Sequence, residues 1–410
     1  MFNDFLIVGL GAMGSAAAHH LAQRGAKVLG LDRFTPPHTL GSSHGQTRII
    51  REAYFEHPDY VPLIQRAYEL WDTLAHAVGE ELLRRTGGLM IGPPDGVVVS
   101  GARRSVEAHH LPHEVLTAGD VRRRYPGLRP DNDMLAVFEP RAGILFPERC
   151  VAANLRLAAG HGATLRFDEQ VLHWSPDGDG VCVVTALGKY RARQLVLTAG
   201  SWINSLLPDL NLPFTVERQV QFWFGAARTP DVFHPDRCPV HLWQYDGDRF
   251  FYGFPDLGNG VKVACHHRGE PADPNAEDRE VSPEEIEGMQ GILRRFLPAA
   301  ADSLREAVVC KYTMTPDEHF WIDRHPAYPQ VLIVSPCSGH GFKFSAVIGE
   351  VVADLLMSGR SRFDLSLFRH RPGTQLHSVR LDRTAHNPPL NHQRNSSNII
   401  PMTPQGDPLS

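Results

Sequence analysis

The apolar pattern opens with a short run, Phe5-Leu-Ile-Val8, dense enough for a buried strand. A helical pattern follows over 15–24, with Met13, Ala17 and Leu21 on one face and Gly25 as its stop. A second strand over 27–32 closes on an acid, Asp32. Tyr60, Leu63, Ile64, Ala67, Leu70, Trp71 and Leu74 then repeat at helical spacing and predict an amphipathic helix over 60–75. Residues 76–146 break into short elements punctuated by Gly87-Gly88, Gly92-Pro-Pro and Pro140. A helix over 152–159 and strands over 163–167 and 181–185 come next, the second strand entered through a turn at 177–180. The run 194–202 reads as a buried strand ending in Ala-Gly, where backbone can approach a cofactor.

From about residue 215 to 310 the texture changes to alternating strands, among them 220–224, 249–253 and 261–266. In the last of these, Lys262, Ala264 and His266 share one face, and Val261, Val263 and Cys265 share the other. The pair Lys262 and His266 either lines a cavity or lies on a wet face. Pro283–Leu297 predicts a surface helix, and Val347, Ile348, Val351, Val352 and Leu355 predict one more. From Arg371 onward Pro, Asn, His and Ser crowd out any periodicity, so the tail 371–410 reads as disordered.

Composition narrows the class. A chain of 410 residues exceeds what one core usually serves, so two domains are expected. A net charge of −5 gives no ground for a nucleic-acid partner. No apolar run reaches the roughly 18 residues of a membrane helix. Six cysteines stand scattered without a Cys-x-x-Cys pair, which argues against zinc and against a disulfide scaffold. No metal site, no membrane partner and a reduced cytoplasmic setting are the expectations.

Between the first two strands lies Gly9-Leu-Gly11-Ala-Met-Gly14. Gly9 permits the tight turn, Gly11 lets backbone approach a pyrophosphate, and Gly14 allows the helix to pack closely on the strand. Asp32, about 20 residues on, would accept from a ribose 2′-OH. Strand, turn, helix, strand and acid together predict a Rossmann-like α/β unit; the pattern fits FAD as well as NAD.

Two later stretches carry chemistry. Gly41-Ser42-Ser-His44-Gly-Gln-Thr47-Arg48-Ile-Ile-Arg51 is basic, and a helical turn would point Arg48 and Arg51 the same way. They are either a guanidinium site or solvated arginines. Cys310-Lys-Tyr312 offers a thiol and a phenol, and Ser338-Gly339-His340-Gly341-Phe-Lys343-Phe344 is a loop feeding a helix N-terminus, suited to an anion.

With Tyr252-Gly-Phe-Pro255 and Asp317-Glu-His-Phe320, these motifs resemble the family of monomeric sarcosine oxidase and N-methyl-tryptophan oxidase, in register to about Phe368. The resemblance implies a discontinuous FAD domain (1–80, 141–214 and 315–370) and a smaller substrate domain on an antiparallel-rich mixed sheet (81–140 and 215–314). It implies FAD against Gly9, Gly11, Gly14, Asp32, Ser42, His44, Thr47, Gly339, Gly341 and Lys343, joined covalently to Cys310. It further implies a substrate carboxylate held by Arg51 and Lys343. Lys262 and Arg48 would serve the reaction with O2, and Tyr252, His266, Tyr312 and His340 would be active-site residues of a monomeric oxidase of small N-methyl amino acids. N-methyl-tryptophan or a cyclic imino acid are alternative substrates, and a flavin dehydrogenase with an acceptor other than oxygen is the alternative activity. Trp243 stands where the family has a pocket-lining residue, while Glu52, Phe55 and Cys337 depart from its pattern.

Overall fold

The computed structural model describes residues 2–369 apart from 227–229, 268, 277–278 and 336–337, so the tail 371–410 and Cys337 lie outside the described residues. The chain is a mixed α/β protein with two large sheets and a small one. In the eight-stranded sheet, Phe2–Val8 runs parallel between Val28–Leu31 and Lys189–Leu197. Its residues alternate between two cores. Phe5 and Ile7 join Ala17, Leu21 and Val151 on the helix-covered face; Leu6 and Val8 join Ile203, Leu207 and Phe214 on the other. Burial on both faces is why this strand reads as an unbroken apolar run.

Helix Ala12–Gln23 packs against helices Pro147–Gly160 and Ser345–Ser358. The approach is close enough that a Cβ on Gly349 would meet Ala16 carbonyl atoms at 2.7 Å. Gly14 is tighter still: its Cβ would lie 1.8 Å from the Gly9 carbonyl oxygen. Both contacts are backbone to backbone, which a rotamer change cannot relieve.

The nine-stranded sheet is antiparallel apart from the pairing of Val240–Tyr245 with Gly88–Gly92. Helix Pro283–Phe296 covers one face, burying Met289, Leu293 and Phe296 with Val261, Val263 and Phe251. Lys262 and His266, at 2% and 6% exposed, project from the opposite face and are buried there. That decides against a wet face. A three-stranded sheet pairs Arg48–Ile50 with Gly143–Leu145, which also pairs Leu83–Arg85.

Gly14→Ala is expected to cost about 2–3 kcal/mol or more through overpacking, and Gly160→Ala, with nothing within 4 Å of its added Cβ, about nothing. Denaturant midpoints of the two variants check this; equal midpoints would refute the packing account.

Candidate active site

A cleft of about 1750 Å³, counting its open mouth, runs between the two large sheets. One wall is the nucleotide end. Gly9 adopts φ +92°, and any Cβ there would strike the Thr198 carbonyl at 2.5 Å. Helix Ala12–Gln23 has no cap from its N-cap residue Gly11 and no acid in its first turn. The Ala12 N–H donates to the Ser43 hydroxyl at 3.3 Å, and the positive helix end lines the cleft, where it favours an anion. The Asp32 carboxylate accepts from the Leu10 N–H at 2.6 Å and the Phe34 N–H at 2.9 Å while lining the cleft. Burial raises its pKa, those two N–H bonds opposing the shift. Arg33 lies over the Phe34 and Trp202 rings, each at 4.8 Å.

The other wall gathers cations. Arg48 is not on a helical turn: Arg48–Ile50 is a strand, ended at Arg51 by a turn, and both guanidiniums line the cleft. The i, i+3 reading failed because pairing to Gly143–Leu145 extends this segment. Arg48 donates to the Thr47 and Ser42 carbonyl oxygens at 2.8 and 2.9 Å and stands 3.7 Å from the Cys310 sulfur. Burial works against its charge, and Cys310, Tyr252 and Tyr312 favour it. Arg51 donates through one nitrogen to both oxygens of Glu56, at 2.7 and 2.8 Å, and through another to the Ala53 carbonyl. Its guanidinium is capped by the Tyr54 and Phe55 rings at 4.3 and 4.6 Å. Burial opposes the Glu56 charge, but Arg51 overrides it and Glu56 falls to about 2.

Lys343 sits on the one-turn Phe342–Phe344 before the last helix and donates to the His340 carbonyl at 2.7 Å. Burial, then Arg51, brings its pKa down to about 7. Lys262 donates to the Gly45 and Thr47 carbonyls at 2.5 and 3.0 Å, between the Trp223 and Phe254 rings. Burial first, and Arg48 next, push its pKa well down. His340 bonds Tyr54 Oη through Nδ1 and the Glu318 carbonyl through Nε2; burial brings it to about 3. His266, 3.4 Å from Tyr312 Oη, is likewise pushed down by burial, and Tyr252 and Tyr312 are pushed up.

The structure brings Arg48, Arg51, Lys343, Tyr252, His266, Tyr312, His340, Ser42, Gly9, Gly11, Asp32, Gly339 and Gly341 to the cleft surface. Gly14, His44, Thr47, Lys262 and Cys310 stand behind that surface, next to residues that form it. Trp243 is a correction. Its indole stacks on Phe251 at 5.3 Å, packs on Phe296, and bonds His241 Nδ1 at 2.7 Å inside the core of the nine-stranded sheet. Leu242, one residue earlier, faces the cleft instead. Strand alternation puts the two on opposite faces. Glu56 was missed, having no local signal beyond lying five residues past Arg51.

The walls fit a flavin dinucleotide. His44, 1% exposed, has neither ring nitrogen bonded among the described residues, and Thr47 Oγ1 is equally unpartnered. Those atoms lie behind the cleft surface. On the surface itself the fit rests on Gly9 and Gly11, whose bare backbone admits a pyrophosphate at the helix start, and on Asp32, an acceptor for a ribose hydroxyl.

Comparison with known proteins agrees. The model of the FAD dependent oxidoreductase family matches residues 4–355. Monomeric sarcosine oxidase of Streptomyces avermitilis is 45% identical, over 90% of this chain and 97% of that protein. N-methyl-L-tryptophan oxidase of Yersinia pestis is 36% identical, over 89% and 98%. Among solved structures, NikD, an unusual amino acid oxidase essential for nikkomycin biosynthesis, aligns with a TM-score of 0.79 at 27% identity, covering 90% of this chain and 98% of that one.

Two outcomes are expected. Affinity of the flavin-loaded protein for a small carboxylate such as acetate, read from the visible spectrum, should fall as pH climbs through about 7 and Lys343 loses its proton; Lys343→Met should abolish that alkaline limb. Trp243→Phe should lower stability by about 1–2 kcal/mol and leave acetate affinity within about twofold, a contact-free position costing no binding; a larger change would return the indole to the pocket.

Proposed function

The chain belongs to the FAD dependent oxidoreductase family, and on that footing we propose that it oxidatively demethylates small N-methyl amino acids of the sarcosine kind. Substrate, O2 and water would give the demethylated amino acid, formaldehyde and H2O2. The observation that carries the reading is the meeting of Arg51 and Lys343 on one cleft wall beside Tyr252, His266, Tyr312 and His340.

FAD, when bound, supplies the two-electron acceptor that takes a hydride equivalent from the N-methyl carbon and passes the electrons to O2. Gly9, Gly11 and the helix start would hold its pyrophosphate, Asp32 its ribose, and Cys310 a covalent tether. Ser42, His44, Thr47, Gly339 and Gly341 would complete its surroundings, and Gly14 the helix packing beneath. Residues 1–80, 141–214 and 315–370 would form the cofactor domain, and 81–140 with 215–314 the substrate domain.

Arg51 and Lys343 hold the substrate carboxylate. Glu56 already occupies Arg51, so the incoming carboxylate must displace it or share the guanidinium. The surrounding groups are neutral: His266 and His340 are held deprotonated by burial, and Tyr252 and Tyr312 protonated. With these roles the site supplies orientation and hydrogen bonds, and the amine must react uncharged. Arg48, Arg51 and Lys343 favour that by lowering the pKa of a bound ammonium. Lys262 stands ready to stabilise negative charge during reaction with O2.

We take the protein to act as a monomer, after the character of the sarcosine oxidases it resembles. The five described cysteines are free thiols, which suits the cytoplasm.

Peroxide release with sarcosine, N-methyl-L-tryptophan and pipecolate tests the reading. Sarcosine is expected to turn over fastest, and silence with all three would refute it. Acid precipitation should leave the wild-type pellet yellow, whereas Cys310→Ser should release its colour to the supernatant. Lys262→Met should slow flavin reoxidation at least about tenfold, the loss of one preorganised charge, with flavin reduction much less affected.

A further inference from the structure

Three of the cleft's four cations, Arg48, Arg51 and Lys262, donate to carbonyls of one stretch of backbone, 45–53, and that stretch is gripped at both ends by carboxylates. The strand Arg48–Ile50 pairs antiparallel with Gly143–Leu145, Arg48 opposite Leu145 and Ile50 opposite Gly143. Residues past either end of the partner strand therefore fall opposite the two ends of this stretch. Glu148, in the first turn of helix Pro147–Gly160, accepts the Gly45 and Gln46 N–H groups at 2.8 and 3.0 Å through a single oxygen. Glu139, the last residue of strand Leu135–Glu139 and 1% exposed, accepts the Glu52 N–H at 2.8 Å and the Ala53 N–H at 2.7 Å.

Each grip passes to a different cation. The peptide group joining Gly45 to Gln46 gives its N–H to Glu148 and its carbonyl to the Lys262 ammonium. The turn needs holding: Gly45 and Gln46 take φ +97° and +68°, a region unfavourable for Gln46. Besides these grips it has the Thr47 N–H donating to the Gly45 carbonyl at 2.8 Å and Asn259 donating to the Gln46 side chain at 2.6 Å. At the far end, Glu139 fixes the two peptides that follow Arg51, and the Ala53 carbonyl beyond them receives the Arg51 guanidinium at 3.0 Å.

We propose that Glu148 and Glu139 are positioning residues that divide the two halves of the reaction between them, Glu148 setting Lys262 for oxygen and Glu139 setting Arg51 for the substrate carboxylate. The division rests on the function proposed above. Neither residue lines the cleft; each acts through the backbone it holds, and its charge also favours the cation beyond, Glu148 that of Lys262 and Glu139 that of Arg51. Burial lifts Glu139 to about 7, with Arg51 and Glu52 of the clamped turn, Tyr68 of helix Val61–Val78 and Arg141 facing the same region. Loss of its charge below that pH loosens the turn and adds an acid limb to carboxylate binding.

The test uses flavin-loaded full-length protein and two readouts: the acetate Kd from the flavin spectrum, and reoxidation by O2 after reduction with dithionite, which needs no substrate. Glu139→Gln is expected to raise the acetate Kd about tenfold, as losing a charged hydrogen-bond acceptor does, to remove the acid limb, and to leave reoxidation within about twofold. Glu148→Ala should do the reverse, slowing reoxidation about tenfold with the acetate Kd within about twofold. Where either variant fails to accumulate with flavin, Glu139→Asp or Glu148→Gln replaces it. Variants that move neither readout, or that move both together, would overturn the proposal. A wild type that neither binds acetate nor reduces O2 would instead defeat the functional reading on which it rests.

Discussion

Burying positive charge is the constraint around which this molecule is arranged. Arg51, Lys262 and Lys343 are enclosed and Arg48 is half-buried at the cleft surface, and a charge withdrawn from water is costly unless its donors are bonded. The chain meets the demand mostly with neutral oxygen: the carbonyls of Ser42, Gly45, Thr47, Ala53 and His340 receive these four side chains. Glu56 is the one carboxylate bonded directly to any of them among the hydrogen bonds described. Carbonyl dipoles stabilise a cation without cancelling it, so the wall keeps its net positive field. That field is what an anionic ligand would meet.

The carbonyls can serve in this way because the backbone bearing them is immobilised by something else. Short pairing with Gly143–Leu145 fixes the middle of the segment, and ring stacking by Tyr54 and Phe55 closes over Arg51. On the opposite wall no such provision is needed. There a glycine turn and a helix end present N–H groups directly, and Asp32 supplies the acceptor. One cleft thus has an end built to receive an anion through amides and an end built to receive one through side chains.

Much of this was legible in residue order. The strand, glycine turn, helix and acid at the start are local features, and periodicity alone found Lys262 and His266 on a common face. Cys310, His340 and Lys343 stood out by motif, since nothing in their immediate spacing requires a thiol there. What escaped was of two kinds. In Val240–Tyr245 every residue is buried and the two polar ones, His241 and Gln244, fall on opposite faces, so alternation does not mark the cleft side, and Trp243, placed by resemblance, went to the wrong one. Arg48 and Arg51 were read at helical period because pairing with a strand nearly 100 residues away leaves no trace in a seven-residue window. Glu56 and the acids gripping the 45–53 backbone act through contacts made only on folding.

The eight-stranded sheet draws its strands from 2–31, 164–197 and 321–335, the nine-stranded sheet from 88–139 and 215–314, so the chain shuttles between them repeatedly. No single cut puts each sheet on a fragment of its own. A ligand seated at Asp32 on the first and joined to sulfur at Cys310 on the second would staple two bodies that the polypeptide already laces together. Loading would then raise unfolding cooperativity as a cross-link does, by restricting the unfolded chain as well as by filling the folded one.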